Sequence, residues 1–115
     1  MSRWQDIYTH LKREGFDVYS PGQHQGECTS PYVVVKDMGV ARFGGFSSTK
    51  ALYDIMCYVP QDNFSQLEPF VCTLEAAMAK LAPMIRPAHY KTPSFYDDTV
   101  RGHMISVQYI NYRKI

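Results

Sequence analysis

From residue 51 the chain alternates, Ala51-Leu-Tyr-Asp-Ile-Met-Cys-Tyr-Val59, with Tyr53, Ile55, Cys57 and Val59 on one side. A period of two predicts a strand with one buried face. After Pro60-Gln-Asp-Asn-Phe-Ser65 the period lengthens: residues 67, 70, 71, 74, 77, 78 and 81 are apolar, which predicts an amphipathic helix over 66 to 81. Ser65 and Glu68 have the spacing of a capping box at its start. At roughly 1.5 to 3 kcal/mol per fully buried side chain, this helix is the main expected contributor to the core.

The same reading applied upstream gives a helix over residues 3 to 14, with Ser2 and Gln5 as a capping box, Trp4, Ile7, Tyr8 and Leu11 as its apolar stripe and Gly15 as its stop. Phe16-Asp-Val-Tyr19 is a short strand before the Ser20-Pro-Gly22 turn, and residues 23 to 30 are polar without periodicity. Tyr32-Val-Val-Val-Lys-Asp-Met38 is a β-branched strand expected to pair with 51 to 59. Two long connections follow from glycine and proline content, 39 to 50 and 83 to 98, the second with room for a short extended segment. The last strand, 103 to 114, sets Ile105, Val107 and Tyr109 against Met104, Ser106, Gln108, Ile110 and Tyr112, an outer face that is amphipathic and aromatic. The economical packing is an α+β domain: a mainly antiparallel sheet of about four strands with two helices on one face.

Composition narrows the classes. At 115 residues the chain is one domain, 1 to 115, whose core needs neither disulfide nor metal. A net charge of +1 and a pI near 7.7 give no general reason to expect a polyanion partner. Cys28, Cys57 and Cys72 form no CxxC pair and fit a reducing compartment. No leader and no apolar run of about 18 residues is expected.

Candidate chemistry is sparse. Asp97 and Asp98 are adjacent and point apart if extended, so they read as turn or cap residues. His24 and Cys28 are four apart in a segment without helical pattern, so no metal is expected there. Cys57 and Cys72 read as packed thiols or small surface residues. Neither Gly-containing segment resembles a phosphate loop. Arg86, His89 and Lys91 form a modest basic group beside Tyr90. No catalytic residue, cofactor or metal is assigned. What remains is aromatic surface: Phe43 and Phe46 with Arg42 and Lys50 in the first connection, and Tyr90, Phe95 and Tyr96 with Arg86 in the second. More rings than a small monomer usually exposes point to oligomerisation or docking, with two distinct patches suiting a ring.

Pro31-Tyr-Val-Val-Val, Tyr53-Asp-Ile-Met-Cys-Tyr-Val-Pro60, the Phe64-Ser-Gln-Leu helix start and the closing His103-Met-Ile-Ser-Val-Gln-Tyr-Ile-Asn-Tyr-Arg-Lys together resemble the small tail-completion proteins of long-tailed bacteriophages and prophages. That family includes tail terminators and tail-to-head joining proteins. The resemblance implies a non-enzymatic virion protein, assembled in the bacterial cytoplasm, that forms a ring, commonly of six subunits, at the end of the tail tube and faces the head connector. It implies DNA passage through the ring but no sequence-specific nucleic-acid contact and no membrane. The chain lacks a strongly charged pore-lining run, and residues 23 to 30 have no assigned role. Two other readings stand beside it. One is another head-tail connector or minor virion protein; the other is a small ligand-binding domain or enzyme with a cleft near His89, Tyr96 and Asp98.

Overall fold

Ile7 and Leu11, one helical turn apart, are both fully buried, and around them the chain forms helix α1, Trp4–Arg13. The computed structural model describes residues 3–23, 26–42 and 48–114, with the side chains of 40–42, 48, 49, 89 and 112–114 left aside. Two residues of strand, β1 (Val18–Tyr19), lead to β2 (Tyr32–Arg42), β3 (Ser48–Pro60), a short 3-10 helix (Gln61–Gln66) and helix α2 (Leu67–Ala79). Then come β4 (Arg86–Lys91), β5 (Phe95–Asp97) and β6 (Gly102–Lys114).

The α+β class holds, and both helices lie on one face. His10 Nε2 bonds the Ala77 carbonyl at 2.8 Å, Lys80 pairs with Glu14 at 2.8 Å, and the Phe16 and Phe70 rings meet at 5.8 Å, all joining α1 and its exit to α2. The sheet departs from four antiparallel strands. Among the described residues it has six, ordered β1-β2-β3-β6-β4 with β5 also on β6, and β1 runs parallel to β2. The prolines of 83 to 98 misdirect the sequence reading. Pro87 sits in an edge strand, where a missing N–H costs the ladder little, so two strands, β4 and β5, form where a long connection with at most a short extended segment is expected.

The connection of 39 to 50 is largely a hairpin: β2 continues to Arg42 and β3 starts at Ser48, paired from Arg42↔Thr49 inward. A bulge between Asp37 and Gly39 makes this continuation possible. Gly39 takes φ +93°, where a Cβ would be strained, and its N–H donates to Asp37 Oδ1 at 2.8 Å. The capping box expected at Ser65 and Glu68 does not form as such. Ser65 lies within the 3-10 helix and α2 begins at Leu67 with no side-chain cap bond, because the chain turns off β3 through a tighter helix first. At α1 the residue before the helix is Arg3, also without a side-chain cap bond, and Ser2 lies outside the described residues.

The core follows the sequence pattern closely. Val33, Val35, Tyr53, Ile55, Cys57, Val59, Ile105, Val107 and Tyr109 face Leu67, Val71, Leu74, Ala77 and Met78. The outer face of β6 is a correction. Met104, Ser106 and Ile110 are buried and Gln108 is half-buried, and Met104 packs with Tyr32, Val34 and Tyr58 in a second small core beneath Cys28. That also gives Cys28, within the polar segment, a role. The Cys28 N–H donates to the Val100 carbonyl at 2.6 Å and its side chain closes this second core.

Candidate functional site

Beyond the two cores, the structure sorts the sequence candidates into two separate groups. Lys50, on β3, and Arg86, at the start of β4, line one cleft of about 420 Å³ with Leu52, Pro87, Gln108 and Ile110. Arg86 is fixed there by its Nε donating to the Pro83 carbonyl at 3.2 Å. Arg42 is placed by register opposite Thr49, one pair beyond Ala41 and Lys50. Phe43 and Phe46, expected to be contact-making aromatics, lie outside the described residues.

The second group stands at the opposite end of β3. Tyr96 and Phe95, on β5, are 43% and 46% exposed, and Phe64, in the 3-10 helix, is 53% exposed. His103 is the common neighbour: the Phe64 ring meets it edge-on at 4.7 Å and the Tyr96 ring at 5.3 Å. The Tyr96 hydroxyl donates to Gln61 Oε1 at 3.0 Å, tying β5 to the 3-10 helix. Tyr90, on β4 between the two groups, is 57% exposed. The sequence reading overlooked Phe64 and His103 as site residues. Their signal is faint: Phe64 breaks the helical period of the segment that follows, and His103 occupies a strand position that alternation assigns to the core.

A larger cleft, about 740 Å³, opens between the start of α2 and the β4–β5 connection. Phe64, Leu67, Val71, Pro93 and Ile105 supply apolar wall; Glu68, Lys91 and Thr92 supply polar groups, and the exposed Cys72 thiol lies on its rim. Lys91 is held toward α2 by Glu75 at 3.5 Å. Neither cleft is lined by Tyr96 or Asp98, so the ligand-binding arrangement expected around those residues does not form in either of them.

The titratable groups near these clefts behave as structural groups. Asp97 Oδ1 accepts the Thr99 N–H at 3.0 Å, the turn role expected of it. Burial first, and the neighbouring Asp97 carboxylate second, push the Tyr58 phenol above its ordinary value. Cys57 is fully buried and its thiol is pushed up by that burial, which suppresses the thiolate a nucleophile needs. Among the described residues no three His, Cys, Asp or Glu side chains gather as a metal-binding set. No helix of the described chain is long and apolar enough to cross a membrane.

No protein family model and no curated protein matches the chain. A solved structure that carries no functional name is similar to it at TM-score 0.57 and 14% identity, over 100% of this chain and 96% of its own. That likeness shows the fold alone.

Proposed function

We propose that this protein is a tail-completion protein of a long-tailed bacteriophage or prophage, either a tail terminator or a tail-to-head joining protein. Copies pack side to side into a ring, of six in the arrangement the resemblance implies, at the end of the tail tube. One ring face ends tube growth, the other meets the head connector, and DNA passes through the opening. Its place is the neck of the virion, after assembly in the bacterial cytoplasm. The mechanism is binding, without catalysis.

The observation that carries this reading is the exposure of Phe64, Tyr90, Phe95 and Tyr96 on one small domain. Large aromatic side chains supply much contact area for little loss of rotamer freedom, and they concentrate at protein interfaces. The similarity of the Pro31, Tyr53 to Pro60, Phe64 and His103 segments to tail-completion proteins gives that interface its context.

Light scattering with negative-stain microscopy of the purified protein tests the reading, alone and mixed with tail tube protein from the same phage. Closed rings that cap tube ends are expected. A monomer at high concentration that leaves tubes uncapped excludes it. Capture of portal rather than tube proteins moves the protein to another connector position. The cleft of about 740 Å³ favours a second reading, a small ligand-binding domain. A small molecule that saturates the cleft and raises the melting temperature, in a protein that forms no rings, establishes that alternative.

A further inference from the structure

The net charge of +1 conceals two poles. No acidic residue occurs between Asp37 and Asp54, between Glu75 and Asp97, or after Asp98. The sheet brings parts of all three acid-free stretches to one end. Arg42 lies opposite Thr49, Thr49 opposite Arg113, Ser48 opposite Lys114, and Arg86 opposite Ile110, while Lys50 and Arg86 share a cleft. By register, Arg42, Lys50, Arg86, Arg113 and Lys114 therefore fall at the turn end of the β2–β3 hairpin, and the acid-free stretches they belong to bring no Asp or Glu there.

The other end has the reverse character. Glu27, Asp62 and Asp98 are exposed and Asp97 is half-buried, around the Pro60↔Gly102 end of the β3–β6 ladder, with Arg101 as the opposing cation. Glu27 reaches this end because Cys28, beside it, is bonded to Val100. The thirteen residues of β3 separate the poles by about 40 Å, at about 3.3 Å per residue, in a molecule 48 Å long. With charges screened over about 8 Å at physiological salt, neither pole cancels the other. A neighbour meets a cationic end or an acidic end, never the average.

We propose that the occupant of the cationic end is the acidic end of a second copy of this chain. The inference rests on the reading of the protein as self-assembling and specifies which surfaces meet. Charge complementarity fixes the orientation of encounter and excludes like ends from each other, while the aromatic side chains beside the acidic pole, Phe64, Phe95 and Tyr96, supply contact area.

Two full-length variants test it: Lys50→Glu with Arg86→Glu, and Asp62→Lys with Asp98→Lys. The first strips the cationic end of most of its positive charge and the second turns the acidic end cationic, so neither keeps two complementary poles. Each alone is expected to lose the assembly that the wild-type chain forms at low salt, and an equimolar mixture is expected to regain it, which also shows that both fold. Wild-type assembly is expected to weaken as sodium chloride rises from about 0.05 to about 0.5 M. Assembly of both variants alone, or a wild-type chain that stays monomeric, overturns the pairing. So does unchanged assembly of the Lys50→Glu, Arg86→Glu variant together with loss of wild-type binding to a short DNA duplex, which assigns the cationic end to nucleic acid. Rings indifferent to all these charges leave the tail-completion reading standing without the pairing. A restored mixture that stops at a two-fold dimer keeps the pairing and removes the ring.

Discussion

The indole Nε1 of Trp4 donates to the main-chain carbonyl of Val35 at 2.7 Å, joining the first turn of α1 to a strand residue 31 positions away. The bond closes a specific gap. β1 covers β2 only at Val33 and Val34, so the next outward carbonyl of β2 is Val35, and the bulge at Asp37 and Gly39 follows directly. A short parallel strand, an indole and a bulge thus blunt this stretch of edge in succession, which protects it from pairing with unrelated strands.

Trp4→Phe retains an aromatic ring against Tyr8, whose ring lies 4.9 Å from that of Trp4, and removes the donor. The expected loss of stability is about 0.5 to 1.5 kcal/mol, the usual net worth of one such hydrogen bond. Urea unfolding followed by circular dichroism measures it, since the change also removes the single tryptophan. An unchanged unfolding midpoint would mean that water serves the Val35 carbonyl equally well.

Leu74 has no exposed surface and sits at the centre of the face that α2 turns to the sheet. Leu74→Ala removes that packing and leaves a cavity, at an expected cost of about 2 to 5 kcal/mol. A measured loss below about 1 kcal/mol would show that α2 repacks and is not the main contributor to the core.

How much of this was legible in the chain differs by element. The face of α2 and the alternation of Tyr53, Ile55, Cys57 and Val59 were readable because each has a single burying partner and a clean period. β4 was not, because the sheet edge tolerates Pro87, and a proline reads as a breaker until its neighbours are known. The second core was hidden for another reason. Cys28 stands alone in a polar segment, and only the return of Val100 beside it in space gives that thiol a packing role. The two charge poles are likewise a property of strand register rather than of composition.

Gly102 shows how tightly that second core is built. A Cβ added there meets the Val59 carbonyl oxygen at 2.9 Å and Cys28 Cβ at 3.1 Å. The oxygen is main chain, held next to the last pair of the β3–β6 ladder, and cannot swing aside as a flexible side chain does. Gly102→Ala is expected to cost about 1 to 3 kcal/mol, the range for overpacking, in the same urea measurement. A gain in stability, as glycine replacement gives where there is space, would contradict the contact.

The three cysteines are expected to separate by reactivity and by pH. Cys72 is exposed, whereas Cys28 and Cys57 are buried. A thiol reagent should therefore label Cys72 in the native protein and the other two only as it unfolds. Burial pushes the Cys28 thiol from 9.0 up to about 11, and it pushes the Tyr32, Tyr58 and Tyr109 phenols above their ordinary value of 10.0. Each of these groups is neutral in the fold at a pH where the unfolded chain has begun to lose its proton. The unfolded state then binds fewer protons, so stability falls as pH rises. The stabilisation is complete below about pH 9, starts to fall there as unfolded Cys28 and Cys57 ionise, and falls further above about pH 10 as the unfolded tyrosines join them. Each group contributes a slope of up to about 1.4 kcal/mol per pH unit while only its unfolded form titrates. Urea midpoints measured from about pH 8 to about pH 11 should be level at first and then decline. Cys28→Ser should make the early decline shallower, with the likewise buried Cys57 still starting it, and leave the later decline in place. A flat profile to pH 11, or native labelling of Cys28 as fast as Cys72, would mean that the cover over the second core opens readily, and that the 26 to 30 segment does not close it.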